Sequence, residues 1–161
     1  SGGNGKEIRG LMESLKKNGK YTVHPGILYT LDKFHGGFAT MDRVSAAIGY
    51  MYEKFDYLMD THTGVGYRVY EDYIAYTGDR TPALLASTAS PFKFAPAVMD
   101  SIRGAGYSNG RSIETVIKEL SDESGLEIPK SIAELGTKEI RHKDVIDKEQ
   151  MEDKVAEILI R

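Results

Sequence analysis

The stretch that most constrains this chain is residues 81–94, TPALLASTASPFKF. Residues 83–86 form an unbroken apolar run with no polar alternation, the pattern of a short strand covered on both faces. Ser90 before Pro91 then opens a helix. A serine hydroxyl caps free backbone N–H groups, and proline at the first helical position has no N–H to leave unpaired. Ser87, Thr88 and Ser90 therefore fall where a strand ends and a helix begins, which is where α/β folds hold small molecules. A lone strand buried on both faces cannot satisfy its own backbone groups. The stretch thus demands sheet neighbours.

The rest of the chain reads as helix. Ile8, Leu11, Met12 and Leu15 sit at i, i+3, i+4, i+7 and predict a helix over 6–18, stopped by Gly19. His24-Pro25 starts a second, with Ile27, Leu28, Leu31 and Phe34 on one side and Gly36-Gly37 as its end. Thr40 caps a third, whose stripe is Met41, Val44, Ile48, Met51 and Phe55. Asp60 caps a fourth that reaches Thr77, with Gly78 beyond. Glycine inside a helix costs about 1 kcal/mol, so Gly64 and Gly66 predict that another group comes close to the backbone there. Residues 92–103 make a fifth helix, ended by Gly104-Ala105-Gly106. Ser112 caps a sixth, with Ile113, Val116, Ile117 and Leu120 inward and Gly125 as the stop. Pro129 opens a short helical piece, and Asp147 with Gln150 matches a capping box ahead of a last helix carrying Met151, Val155, Ile158 and Leu159.

The expected fold is mostly α-helical, with one short strand near 82–88 and a weaker one near 138–146. Seven or eight helices against one clear strand, and a start at Ser1-Gly2-Gly3-Asn4-Gly5 with no strand before it, read as a single piece (1–161) of a larger α/β enzyme. A sheet edge left open at 82–88 invites pairing with another copy of the chain.

Composition narrows the function classes. The 161 residues carry a net charge of −3, with 40% hydrophobic and 28% charged residues. That balance does not attract a phosphate backbone, so nucleic acid is not expected as a partner. There is no cysteine, hence no thiolate metal site and no cysteine nucleophile, which is compatible with the cytoplasm. No apolar run approaches the ~20 residues that span a bilayer, so no membrane is expected.

Several local patterns suggest chemistry, and each has a plainer explanation. Ser90-Pro91-Phe92-Lys93 fits the S-x-x-K of serine–lysine hydrolases, but the companion S-D-N and K-T-G motifs are absent; Ser90 as a helix cap and Lys93 as a solvated first-turn residue explain it better. His62, two residues after Asp60, would have its charged form disfavoured by the helix dipole and serve as a neutral donor, or would simply be hydrogen-bonded at the helix start. It has no metal-ligand spacing. His24, His35 and His142 read as surface residues. Seven of the ten tyrosines fall between Tyr50 and Tyr76, at spacings that suit packing between helices rather than base stacking. Gly2-Gly3-Asn4-Gly5-Lys6 lacks the spacing of a phosphate-binding loop.

Leu58-Met59-Asp60-Thr61-His62-Thr63-Gly64-Val65-Gly66, Tyr76-Thr77-Gly78-Asp79 and Leu85-Ala86-Ser87-Thr88-Ala89-Ser90-Pro91-Phe92-Lys93-Phe94 together resemble the C-terminal part of threonine synthase. Thr61 stands where that family usually has proline, and Gly64 where it usually has alanine. The opening Ser1-Gly2-Gly3-Asn4, Phe38-Ala39 and Ile140-Arg141-His142-Lys143 resemble family segments too, so the likeness runs through essentially the whole chain.

The resemblance implies a pyridoxal-phosphate enzyme of fold type II, α/β in the parent enzyme, that converts O-phospho-L-homoserine and water to L-threonine and phosphate in the cytoplasm. It implies that Thr88 hydrogen-bonds the pyridine nitrogen of the cofactor, that Ser87 and Ala89 flank the ring, and that His62 and Thr63 shape the active-site wall. The family's cofactor-bearing lysine and glycine-rich phosphate loop have no match here. On this reading the chain holds no catalytic residue, is not expected to bind the cofactor or to turn over alone, and has the remainder of its own polypeptide as partner. The alternatives are a free-standing helical interaction module and, less favoured, a hydrolase built on Ser90 and Lys93.

Overall fold

The computed structural model describes residues 2–31, 33–141 and 143–160. His142 lies outside them, as does Ser1. Eight α-helices occur among the described residues: α1 (Gly5–Asn18), α2 (Pro25–Leu31), α3 (Met41–Phe55), α4 (Thr61–Thr77), α5 (Ala95–Arg103), α6 (Ile113–Ser124), α7 (Lys130–Ala133) and α8 (Met151–Ile160). Short 3₁₀ turns at Pro91–Phe94 and Lys148–Gln150 lead into α5 and α8.

The helix boundaries follow the punctuation in the sequence. The Asn4 side chain accepts from the Glu7 amide at the start of α1, the Ser90 hydroxyl from the Phe92 amide and the Ser112 hydroxyl from the Thr115 amide. Gly19, Gly78 and Gly125 close α1, α4 and α6 at φ of 70°, 71° and 68°, a conformation open to glycine at little cost. The Gln150 side chain accepts from the Asp147 amide at 3.1 Å, one half of the capping box. The second helix is shorter than its apolar spacing predicts. It ends at Leu31, and Phe34 beyond it is exposed.

One core joins α3, α5 and α6. Val44, Ala47 and Ile48 of α3 pack with Ala95, Val98 and Met99 of α5 and with Val116 and Leu120 of α6. Leu58, Met59 and Phe92 close it from the loops. The crossing of α3 and α5 is tight: a Cβ on Gly49 would come within 2.7 Å of the Ser101 carbonyl oxygen. The Ser45 hydroxyl donates to Ser101 Oγ at the same crossing, 2.9 Å away, and Tyr52 donates to the Glu123 carbonyl at the end of α6.

The first turn of α4 lies against α3. A Cβ on Gly64 would sit 3.0 Å from Val44 Cγ1 and 3.2 Å from Ile48 Cγ1, and one on Gly66 would sit 2.9 Å from Leu85 Cδ1. Both glycines therefore admit a close neighbour, as their position in a helix implied. Arg43 ties α3 to α4 through Asp72.

No strand forms among the described residues, which corrects both strand expectations. Residues 79–89 run back along α4 as extended coil. The 83–86 run is exposed rather than covered, with Leu84 fully so. Among the described residues, no backbone–backbone hydrogen bond joins residues 80–89 to another segment. A strand needs a neighbour to take its N–H and C=O groups, and among the described residues no other strand is present to do so. Residues 138–141 and 143–146 are likewise exposed coil, with Ile140 and Val145 in solvent; His142 of that expectation lies outside the described residues.

Candidate functional site

Asp60 organises the junction between α4 and the extended segment. It is 1% exposed. Its Oδ1 accepts from the His62 amide at 2.8 Å and the Thr63 amide at 3.4 Å, the N-cap role legible in the sequence. Its Oδ2 accepts from the Thr63 hydroxyl. Burial alone pushes the Asp60 carboxyl up, but the Thr63 hydroxyl, the two amides and the neighbouring His62 outweigh it and hold the group below the usual carboxylate range. Asp60 is therefore ionised at neutral pH.

Thr63 Oγ1 also lies 3.0 Å from Ser87 Oγ. This contact brings together two predicted site residues that are 24 positions apart. Leu85 reaches over Gly66 on the same side, so residues 85–87 are docked on the first two turns of α4. Thr88 follows immediately, exposed and without a hydrogen bond to any described residue. Ala89 is half-buried as the chain turns toward Ser90.

His62 stands apart from this chain of hydroxyls. Its side chain is two-thirds exposed; Nδ1 lies 3.4 Å from Asp60 Oδ1 and the ring packs at 4.9 Å against Phe94. It sits at the helix start, beside the segment that leads into α5. Ser90 and Lys93 show no serine–lysine geometry. The serine oxygen caps the Phe92 amide, and the Lys93 ammonium lies over the Phe94 ring, 5.4 Å from its centroid.

Of the other histidines, His24 is exposed and accepts from the Gly26 amide, while His35 is exposed and packs edge-on against Tyr73. Tyr67, hydrogen-bonded to Glu71, is pushed up to about 12 by burial and that carboxylate. It is a packing and hydrogen-bonding group. Among the described residues no three histidine or acidic side chains cluster as a metal site, and no helix is long and apolar enough to cross a membrane.

A separate open groove of about 640 Å³ lies along the C-terminal half of α4, between Val69, Tyr70 and Tyr73 on one side and Phe34, Asp79 and Pro82 on the other. None of Asp60, His62, Thr63, Ser87 or Thr88 lines it. The predicted site is instead a ledge at the N-terminus of α4. Thr63 as the link to Ser87 was not legible beyond its place in the helix-start motif; the signal was a hydroxyl three residues after a capping aspartate, which puts both on the same first turn.

Residues 63–156 match the family model for the threonine synthase C-terminal region. The match covers more than half of the chain. The chain belongs to the threonine synthase C-terminal family. The matched residues begin at Thr63 and include Ser87, Thr88 and Ala89. Among solved structures, the chain is similar to the pyridoxal-phosphate-bound threonine synthase of Brucella melitensis, with 26% identity and a TM-score of 0.50 over 73% of its own length. It spans a quarter of the length of that threonine synthase. No curated protein matches.

Proposed function

We propose that this chain is the C-terminal portion of a pyridoxal-phosphate-dependent threonine synthase. Its reaction would convert O-phospho-L-homoserine and water to L-threonine and phosphate in the cytoplasm. The family match over residues 63–156 carries the reading. The pyridoxal-phosphate-bound threonine synthase to which the chain is similar supports the cofactor.

The residues on the ledge suit one edge of that cofactor. Thr88 offers an exposed hydroxyl whose proton is committed to no described residue. A pyridine nitrogen is an acceptor, and a neutral hydroxyl satisfies it without forcing its protonation, as a carboxylate would. Ser87 and Ala89 flank Thr88 and would line the ring edge, with His62 and Thr63 as the adjoining wall. When bound, pyridoxal phosphate supplies an electron sink for charge developing on the substrate's carbon atoms.

Residues 60–64 and 84–90 contain no lysine, and the nearby Lys93 ammonium lies over the Phe94 ring. The lysine, the phosphate cradle and the substrate-binding groups would come from the remainder of the polypeptide, which is this chain's partner. The roles left to residues 60–89 are to bind and orient the nitrogen side of the ring. In this reading the chain alone is inactive and holds no cofactor.

The test is substitution of Thr88 in the full-length holoenzyme. Thr88→Ala removes the donor, and Thr88→Asp brings a charge that favours a protonated ring. Both are expected to change the cofactor's visible absorbance and to reduce turnover. Wild-type absorbance and turnover in both variants would mean that Thr88 is a turn residue only. No observation favours a free-standing interaction module, and a half-buried Ser90 that caps the Phe92 amide beside an exposed Lys93 offers a hydrolase nothing.

A further inference from the structure

The segment that carries Ser87 and Thr88 is docked on α4 by side chains rather than by a backbone ladder. Among the described residues, no backbone–backbone hydrogen bond joins residues 80–89 to another segment. Two contacts, two residues apart, hold it instead. The Thr63 hydroxyl lies 3.0 Å from Ser87 Oγ, and the Leu85 side chain lies over Gly66. Thr63 and Gly66 are three positions apart in α4 and share one face of it. The space at Gly66 is shaped to a single neighbour. A Cβ there would come 2.9 Å from Leu85 Cδ1 and 3.9 Å from Leu85 Cγ, and would meet no other described residue within 4 Å beyond its own stretch of helix. Glycine weakens a helix, and the seat it leaves for Leu85 accounts for its presence.

Along an extended chain, neighbouring side chains turn to opposite sides. With residues 85 and 87 both turned to α4, Thr88 is turned away from it, in keeping with its exposure. Four residues further on, Phe92 is buried in the core at 3% exposure, so the turn through residues 88–90 is held from both ends. We propose that Gly66 is a positioning residue: its missing side chain is the seat for Leu85, and that seat, with the Thr63–Ser87 contact, sets the register of residues 85–87 on α4 and thereby the direction of the Thr88 hydroxyl. This rests on the reading of Thr88 as a cofactor contact.

The test uses the full-length holoenzyme. Gly66→Val fills the seat with a branched side chain and pushes Leu85, with the segment, off α4. The visible absorbance and circular dichroism of the cofactor are expected to change, and its dissociation constant to rise about tenfold, the size of one lost hydrogen bond. Gly66→Ala meets only the tip of Leu85 and should move the same signals in the same direction by less. Alanine favours a helix over glycine, so Tm should not fall with it, and this variant carries the test if valine prevents folding. Moving the bulk from the segment to the helix should restore most of the wild-type spectrum and affinity. That is the expectation for Leu85→Ala beside Gly66→Val, and for Leu85→Val beside Gly66→Ala, because residues in contact do not act additively.

A wild-type spectrum and dissociation constant in the folded Gly66 variants overturn the inference, whatever their Tm. A change that the Leu85 substitution leaves unrelieved overturns it as well, since Gly66 would then act on some other group. Thr88→Ala separates the two levels. A wild-type spectrum there defeats the underlying cofactor reading, whereas an altered Thr88→Ala beside silent Gly66 variants defeats the positioning inference alone.

Discussion

Two helices of nearly equal length and amphipathic pattern meet opposite fates. In α3, Val44 and Ile48 are fully buried between α5, α6 and the first turn of α4. In α1, Ile8, Met12 and Leu15 repeat at similar spacing, yet each stays more than 40% exposed and the helix buries no residue. The α8 stripe of Met151, Val155, Ile158 and Leu159 is exposed in the same way. Helical periodicity says which face of a helix seeks cover, not whether the covering element lies within these 161 residues. The difference separates a packed centre built on α3, α5, α6 and the start of α4, against which Ala39, Ile128 and Ile132 also pack, from α1 and α8, whose apolar stripes stay largely exposed.

The strongest way to break this division is to cut side chains on both sides of it. Ile48→Ala should cost about 3 kcal/mol in urea unfolding, the range for a buried aliphatic truncation. Leu159→Ala, on an exposed helix face, should stay within about 0.5 kcal/mol. Equal losses would mean that α8 is packed after all.

A pair of glycines sharpens the same contrast. At Gly49 an added methyl group meets the Ser101 carbonyl oxygen at 2.7 Å, so Gly49→Ala should destabilise by about 1–3 kcal/mol through overpacking. Gly10 lies inside α1 with nothing within 4 Å of a new Cβ, and there alanine should stabilise by about 0.5–1 kcal/mol through helix propensity. Identical signs at the two positions would contradict the packing described.

The acid limb gives a smaller effect. Asp60 is held below the usual carboxylate range in the folded protein, so its contribution is present above its unfolded pKa of about 4 and disappears as pH falls through the folded value. Asp60→Ala should lose about 1–2 kcal/mol at pH 7, and the gap to wild type should narrow as pH drops below about 4. A gap that stays constant with pH would mean that the carboxylate's charge plays no part. Smallest of all, Leu84→Ser should leave the stability of this chain unchanged, because Leu84 is already in solvent. In a full-length enzyme that covers residues 82–88, the same change should destabilise.

Much of the fold was legible because it is written in local chemistry. Ser90, Ser112 and Asp60 start helices through their side-chain oxygens, and Gly19, Gly78 and Gly125 end them by adopting positive φ. The close approach at Gly64 and Gly66 was legible because glycine is costly in a helix without a reason. The strands were not, since a strand is a property of a pair. Residues 83–86 have the right composition, but no described segment lies beside them to complete the ladder. In the site, the motif residues Thr63 and Ser87 do meet, and the Thr63 hydroxyl also reaches a buried carboxylate that the sequence presented only as a helix cap. The 640 Å³ groove beside Tyr73 had no sequence signal, because residues 33–35 and 79–83 come together only through the return of the chain along α4.

The central claim is that residues 1–161 belong to an enzyme that makes threonine and supply the ring-nitrogen side of its cofactor site. The direct measurement is product formation from O-phospho-L-homoserine. The full-length protein loaded with pyridoxal phosphate should release phosphate and L-threonine in equal amounts, and the 161-residue chain alone should release neither. Turnover by the isolated chain, or phosphate release by the full-length protein without threonine, would contradict it.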